Sequence, residues 1–279
     1  MGRGAPEDDW YRTFKIRITA LHPLVCFLKT YLELSHLFIF AAHVPPSTPA
    51  ASTDGMVIMA YHAVHGYTGM VFCRPGDAAW TMVANPISEY FFNDFAYSES
   101  EGKMLALDNE GVTVVFDAAT LEALYQVDVP PATLNFRYKH SGGDAPDEFS
   151  CLRLVAVPGK VLLVKICVKS SRPEGFHVSE LSSGSEKGDG GPVWRKVAGD
   201  DIGGDHELFL DSYHATFGDD RDGGGTWIYY FHDDYSSAVT SCAAAYCYNM
   251  QDNKLECVYM PSEDNGGIYT TRPSWFVPS

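Results

Sequence analysis

Short apolar strands recur along this chain in groups of four, and that recurrence limits the fold more than any other feature. One group runs through Leu37–Ala42, Met56–Tyr61, Thr68–Cys73 and Trp80–Val83. A second opens at Trp80-Thr81-Met82-Val83 and continues through Asp94–Tyr97, Gly102–Leu107 and Val112–Asp117. A third takes in Leu124–Val127, Cys151–Val155, Gly159–Val164 and Gly175–Val178. The last opens at Trp194-Arg195-Lys196-Val197 and passes Leu208–Asp211, Gly225–Tyr230 and Ala245–Asn249. The Trp-x-x-Val motifs at 80 and 194 stand 114 residues apart, room for two units of about 57. Four strands per unit, with loop insertions stretching a period of about 40–50 residues, are the pattern of β-propeller blades.

The strand chemistry separates this reading from a β-sandwich. Val161-Leu162-Leu163-Val164 and Val112-Thr113-Val114-Val115-Phe116 are continuous apolar runs, whereas sandwich strands alternate inward and outward residues. Continuous runs require cover on both faces, as when blades pack on each other. The fold class expected is all-β, a β-propeller that is incomplete or irregular, with a short N-terminal helical extension. Leu24, Phe27, Leu28, Tyr31 and Leu32 fall at helical spacing, so residues 24–34 are read as an amphipathic helix within an extension of residues 1–36. The propeller domain is assigned to 37–279, with a partial fifth strand set at 267–277.

Phe72-Cys73-Arg74-Pro75-Gly76-Asp77-Ala78-Ala79-Trp80 reads as a strand end, a type II Pro-Gly turn and the next strand. On Arg74, Pro75, Gly76, Asp77 and Trp80 the chain resembles the plant KIB-type β-propeller domain, which often follows an F-box. The resemblance extends to Gly102-Lys103 before a strand, Trp194 ahead of Glu207–Leu210, Ile228–Asp234, and the closing Pro273-Ser274-Trp275-Phe276-Val277-Pro278. It implies a propeller, and a role like that of target-recognition subunits of SCF ubiquitin ligases. An F-box opens with a Leu-Pro-acidic helical signature, which residues 1–36 do not show, so binding to the Skp adaptor is not expected of this stretch.

The formal net charge is −16, and residues 199–279 hold fourteen acids against Arg221, Lys254 and Arg272. Phosphate backbones and anionic membranes are repelled by such a surface, so neither nucleic acid nor membrane is expected as a partner. Seven cysteines without a Cys-x-x-Cys pair, several in apolar runs, suit a reducing compartment, cytoplasmic or nuclear. Met1–Trp10 is polar with no secretory pattern behind it, and His22, Pro23, Lys29, Glu33, His36 and His43 interrupt the apolar stretch 18–44.

No catalytic, cofactor or metal site is assigned. His62-x-x-His65 on a strand would point to opposite faces, and Cys242 and Cys247 lack zinc-like partners. Asp219, Asp220, Arg221 and Asp222 before Gly223-Gly224-Gly225 lack the alternate acids and closing Glu of a calcium loop. Ser183-Gly184-Ser185 lacks the nucleophile elbow. His206, His214 and His232 leave one enzymatic alternative, a propeller hydrolase acting on a small polar substrate. Trp80, Trp194, Trp227 and Trp275 are read as fillers between blades. The function expected is protein binding, without enzymatic activity, to an unknown target through one propeller rim. The loops concerned are 182–192, 218–225 and 261–267, with Asp219, Asp220, Arg221 and Asp222 as candidate contacts.

Overall fold

In the computed structural model every regular element among the described residues is a β-strand. The structure describes residues 37–44, 56–63, 68–73, 81–83, 92–108, 111–129, 148–170, 172–182, 191–198, 202, 206–211, 215–219, 225–233 and 243–260. The helix expected over 24–34 and the strand set expected at 267–277 lie outside them.

The strands form four sheets. The first joins β1 (Leu37–Val44), β2 (Met56–Ala63), β3 (Thr68–Cys73) and β4 (Thr81–Met82) in chain order. The second joins β5 (Phe92–Ser98), β6 (Lys103–Asp108), β7 (Val112–Asp117) and β8 (Ala123–Asp128) in the same way. In the third, β9 (Glu148–Val157), β10 (Lys160–Lys169), β11 (Arg172–Ser182) and β12 (Val193–Val197) again pair with their chain neighbours. The fourth contains β13 (His206–Leu210), β14 (Ala215–Asp219), β15 (Trp227–Asp233), β16 (Ala243–Asn249) and β17 (Lys254–Tyr259). Its order is β14-β13-β15-β16-β17, and β13 lies parallel to β15 while every other pair is antiparallel. By contact density the chain divides into two units. One comprises Met1–Glu89 with Thr270–Arg272 and holds the first sheet; the other comprises Tyr90–Tyr269 with Pro273–Ser279 and holds the other three.

Local chemistry explains the tight hairpins. Between β9 and β10, Pro158 presets the first turn position and Gly159 takes the second at φ 82°, the type II pattern. Between β7 and β8 the Asp117 carboxylate accepts from the Ala119 and Thr120 N–H groups and the Thr120 hydroxyl, at 2.8–3.0 Å. That cage holds Leu121 at φ 59°.

In the larger unit the three sheets stack face to face. Val161 and Leu163 of the third sheet face one core with Leu105, Leu107, Val115 and Val127 of the second. Leu162 and Val164 face the opposite core with Leu208, Leu210, Ile228 and Tyr230 of the fourth. None of the four residues 161–164 is more than 4% exposed, which is why the run is continuous rather than alternating. In the second core the Phe176 ring lies 5.9 Å from Tyr230 in an edge contact and 5.2 Å from Tyr248. The inner ends of these sheets come together, with β9 against β5 and against β14.

The first sequence unit, which ends with the strand of Trp80–Val83, coincides with the first sheet. The later units were out of phase by one strand, because the strands read there as openings, those of Trp80–Val83, Leu124–Val127 and Trp194–Val197, each end a sheet. Connection length does not mark the boundaries: 83–91, 129–147 and 198–205 fall between sheets, but 45–55, 183–192 and 234–242 join strands that pair within one sheet. Repetition alone fixes a period but not its starting point. β14 and β17 had no counterpart in the sequence reading.

Candidate interaction surface

The polar groups near the inner ends of the larger unit hold neighbouring sheets together. Asp94 on β5 is buried, and its Oδ2 accepts from the Leu154 N–H of β9 at 2.7 Å while its Oδ1 accepts from Phe95 N–H at 2.9 Å. Arg153, also on β9 and buried, donates through Nε to the Asp211 carbonyl at 3.3 Å and through a terminal nitrogen to the Leu152 carbonyl at 2.7 Å. Between the second and third sheets, the Trp194 indole N–H reaches the Thr113 hydroxyl at 3.3 Å. Three of these bonds, Asp94–Leu154, Arg153–Asp211 and Trp194–Thr113, join neighbouring sheets, where an unmade bond would cost the burial of a bare polar group.

The histidines raised as hydrolase candidates stand apart. The parallel register sets Glu207 beside Trp227 and Leu210 beside Tyr230, so His206 lies level with Thr226. His232 is six residues further along β15, a rise of about 20 Å. The His206 ring meets Phe217 edge-on, and His232 Nδ1 lies 3.3 Å from the Tyr230 hydroxyl. His214 lies outside the described residues. Among the described residues no group of three His, Cys, Asp or Glu side chains could hold a metal ion, and no helix is long and apolar enough to cross a membrane.

Of the residues singled out in the sequence, Trp194 is buried in the core between the second and third sheets. Trp227 is half-buried on β15. Arg74, Pro75, Gly76, Asp77, Trp80, Trp275 and Pro278 lie outside the described residues. Asp219 ends β14, paired by its backbone with His206. Asp220, Arg221 and Asp222 lie outside the described residues, as do the loops 183–190, 220–224 and 261–267.

The exposed apolar groups recur at one position in each sheet, which no motif indicated. Met82 on β4, Leu124 on β8, Val193 on β12, Val258 and Tyr259 on β17, and Met260 just after it are the large hydrophobic side chains left in water among the described residues. Each sits on or beside the strand that ends its sheet. Tyr259 is 53% exposed, while Tyr246 and Tyr248 on the adjacent β16 are at 6%. The sequence signal available was weak, because β8, β12 and β17 interleave apolar residues with polar ones such as Gln126, Arg195 and Glu256, and that mixture does not say which apolar members stay exposed.

Ionisable groups elsewhere in the larger unit are perturbed by local causes. The His177 imidazole on β11 is held below its usual pKa by partial desolvation, and then by the charges of Lys196 and Lys165. Hydrogen bonds from Thr120 and Ala119 hold the Asp117 carboxyl below the ordinary range. Desolvation pushes the Cys151 thiol up against the opposing charge of Arg153. Cys151, Cys167, Cys247 and Cys257 are all free thiols.

Antiparallel sheets of about four strands, packed face to face and joined at their inner ends, are the blades of a β-propeller. The chain belongs to the KIB1-4 beta-propeller family, which it matches over residues 15–264. Similar solved structures include the β-propeller domain of Cps50 (Swd1) from Myceliophteria thermophila, at 13% identity and TM-score 0.35, covering 74% of this chain and 55% of that one. Hsv2 from Kluyvelomyces marxianus matches at 11% identity and TM-score 0.29, covering 50% and 40%. The six-bladed Aleuria aurantia lectin matches at 12% identity and TM-score 0.29, covering 82% and 80%. The chain thus spans about half the length of the first two. No curated protein matches it in sequence.

Proposed function

We propose that this chain is a non-enzymatic protein-interaction module whose outer blade strands contact the partner, in a role akin to target recognition by plant F-box ubiquitin ligase adaptors. The observation that carries the reading is the placement of every exposed large hydrophobic among the described residues at a sheet's terminal strand. The inner polar groups support it, because Asp94 and Arg153 are engaged in bonds between sheets instead of converging on a reactive centre. A contiguous apolar surface marks association, and Val258, Tyr259 and Met260 follow one another at the outer strand of the fourth sheet. The four free thiols fit action in a reducing compartment, the cytoplasm or nucleus.

The test is photo-crosslinking from a benzophenone amino acid placed at Leu124, Val193 or Val258, in plant extract, followed by reconstitution with the purified partner. One partner recurring from at least two positions, and binding the purified chain, is the expected result. Turnover of an ester, phosphoester or glycoside substrate that disappears in H206A or H232A protein would establish the hydrolase instead.

A further inference from the structure

The chain is acidic as a whole, but its charge is segregated by sheet. The described residues of the second sheet, 92–108 and 111–129, carry seven Asp and Glu against Lys103 alone. Those of the fourth, 206–211, 215–219, 225–233 and 243–260, carry six against Lys254 alone. The third sheet, 148–170, 172–182 and 191–198, reverses the balance, with seven Lys and Arg against three Glu. Two of those three are already engaged, Glu180 with Lys160 at 3.0 Å and Glu148 with Lys169 at 2.6 Å. Lys196, Arg195 and Arg172 make no ion pair among the described residues and are exposed.

The register gathers part of this charge into a row. Lys165 on β10 pairs with His177 on β11, and Lys196 on β12 pairs with Ser179, two residues from His177. Paired residues and residues two apart share a face, so Lys165, His177 and Lys196 rise from three adjacent strands on one side of the sheet. Desolvation lowers the His177 pKa first, and the two lysines add to it, which agrees with a local positive field. Arg195 projects from the other face beside Glu180, which Lys160 occupies. The row ends at β12, the outer strand of the sheet, whose far side pairs with no strand among the described residues and whose Val193 is 49% exposed.

We propose that the outer edge of the third sheet, formed by β12 with Lys165, His177, Arg195 and Lys196, binds an extended acidic segment of a partner protein. An extended chain laid along β12 would meet unpaired backbone groups, a cation on each face and one apolar contact at Val193. The acidic sheets on either side would repel the same segment, which fixes it to this one edge. The inference rests on the protein-interaction reading and names the chemistry of the partner.

The experiment uses the full chain and three fluorescent probes: a peptide alternating Glu and Val, the same peptide with Lys for Glu, and single-stranded DNA of equal charge. The acidic peptide is expected to bind, more weakly as salt rises, and the other two are not. The R195E/K196E double substitution should weaken binding at least about tenfold, since it converts two attractive contacts into repulsive ones. In the wild-type protein, the amides of Val193–Val197 that do not bond β11 should exchange more slowly with the acidic peptide present, a readout independent of how the variant folds. Equal affinity for the DNA, no slowing at β12, or unchanged affinity in the double variant overturns the proposal. If crosslinks from Leu124 and Val258 identify a partner while the acidic peptide fails to bind, this inference falls and the broader reading stands. If no crosslinked partner emerges, the broader reading falls on its own test.

Discussion

Asp94 is the most informative single position, because its carboxylate satisfies a donor on a different sheet. β9 is the edge strand of the third sheet on its inner side, so the Leu154 N–H that points away from β10 has no strand to receive it. Asp94 Oδ2 takes it at 2.7 Å, and Leu154 is only 2% exposed, leaving no room for water to substitute. A hydrogen bond to a charged acceptor contributes about 1.5–3 kcal/mol, and a buried donor left bare costs about 1–3 kcal/mol. Asp94→Ala removes the acceptor, and Phe95, half-buried, can recover its own bond from solvent. The expected loss at the β5–β9 contact is therefore about 3 kcal/mol, or about two decades in the local opening equilibrium. Amide hydrogen exchange reads this directly. The Leu154 amide should lose about a hundredfold in protection, while the Leu163 amide on β10 loses only what the whole unit loses. Asp94→Asn should fall between, because its amide oxygen serves one donor and its NH2 group faces the other. If Leu154 keeps its protection in Asp94→Ala, or if Leu154 and Leu163 lose it equally, the carboxylate is not a clamp between sheets.

Leu162→Ala and Leu163→Ala, tested by denaturant midpoint, should each cost about 2–5 kcal/mol, since the two side chains fill opposite cores; a near-neutral result for either would mean that one face is wet. Trp194→Phe should cost about 1–3 kcal/mol by the same assay, because Thr113 is fully buried and loses its indole partner. Alkylation followed by mass spectrometry should find every thiol free, with exposed Cys257 modified first and Cys151, its pKa raised by desolvation, among the slowest. The depressed Asp117 carboxyl favours the folded state above the unfolded carboxyl pKa, and that contribution fades as pH falls through the folded value; Asp117→Asn should flatten this part of the acid stability profile. Calorimetric titration of this chain with the Skp adaptor should give no micromolar complex, and heat of binding at that level would contradict the reading of residues 1–36.

The sequence carried the fold where burial leaves a one-dimensional trace. Val161–Val164 could only be a strand covered on both faces, and it is. It carried the phase poorly, since nothing in Trp194-Arg195-Lys196-Val197 says whether that strand opens a sheet or closes one; β12 pairs back with β11 across the ten-residue stretch 183–192, so connection length does not decide it. The fourth sheet was harder still. β14 sits on the inner side of β13 and the chain then crosses to β15 on the other side, a path that a simple up-and-down repeat does not suggest. Asp94 did leave a trace, an acid within the apolar strand Asp94-Phe95-Ala96-Tyr97, but its partner Leu154 is sixty residues away and only the packed sheets bring them together.

Charge shows most clearly where a whole-chain quantity gives way to a local one. A net charge of −16 argues against polyanion binding only if a ligand feels the chain as one body. At physiological salt, fields between exposed charges decay over about 8 Å, less than two strand spacings and less than the ~10 Å between packed sheets. A segment lying along β12 therefore responds mainly to Arg195, Lys196, His177 and Lys165, opposed at close range by the acid of the neighbouring strand β8 and weakly by those beyond it. Those acids still act at longer range during approach, where they slow association of any anionic partner and disfavour nucleic acid, whose charge is dense along its entire length. The same distribution that excludes a uniform polyanion thus leaves a narrow edge open to a short acidic strand, and raising salt should lower affinity for that strand while it relieves the slow approach.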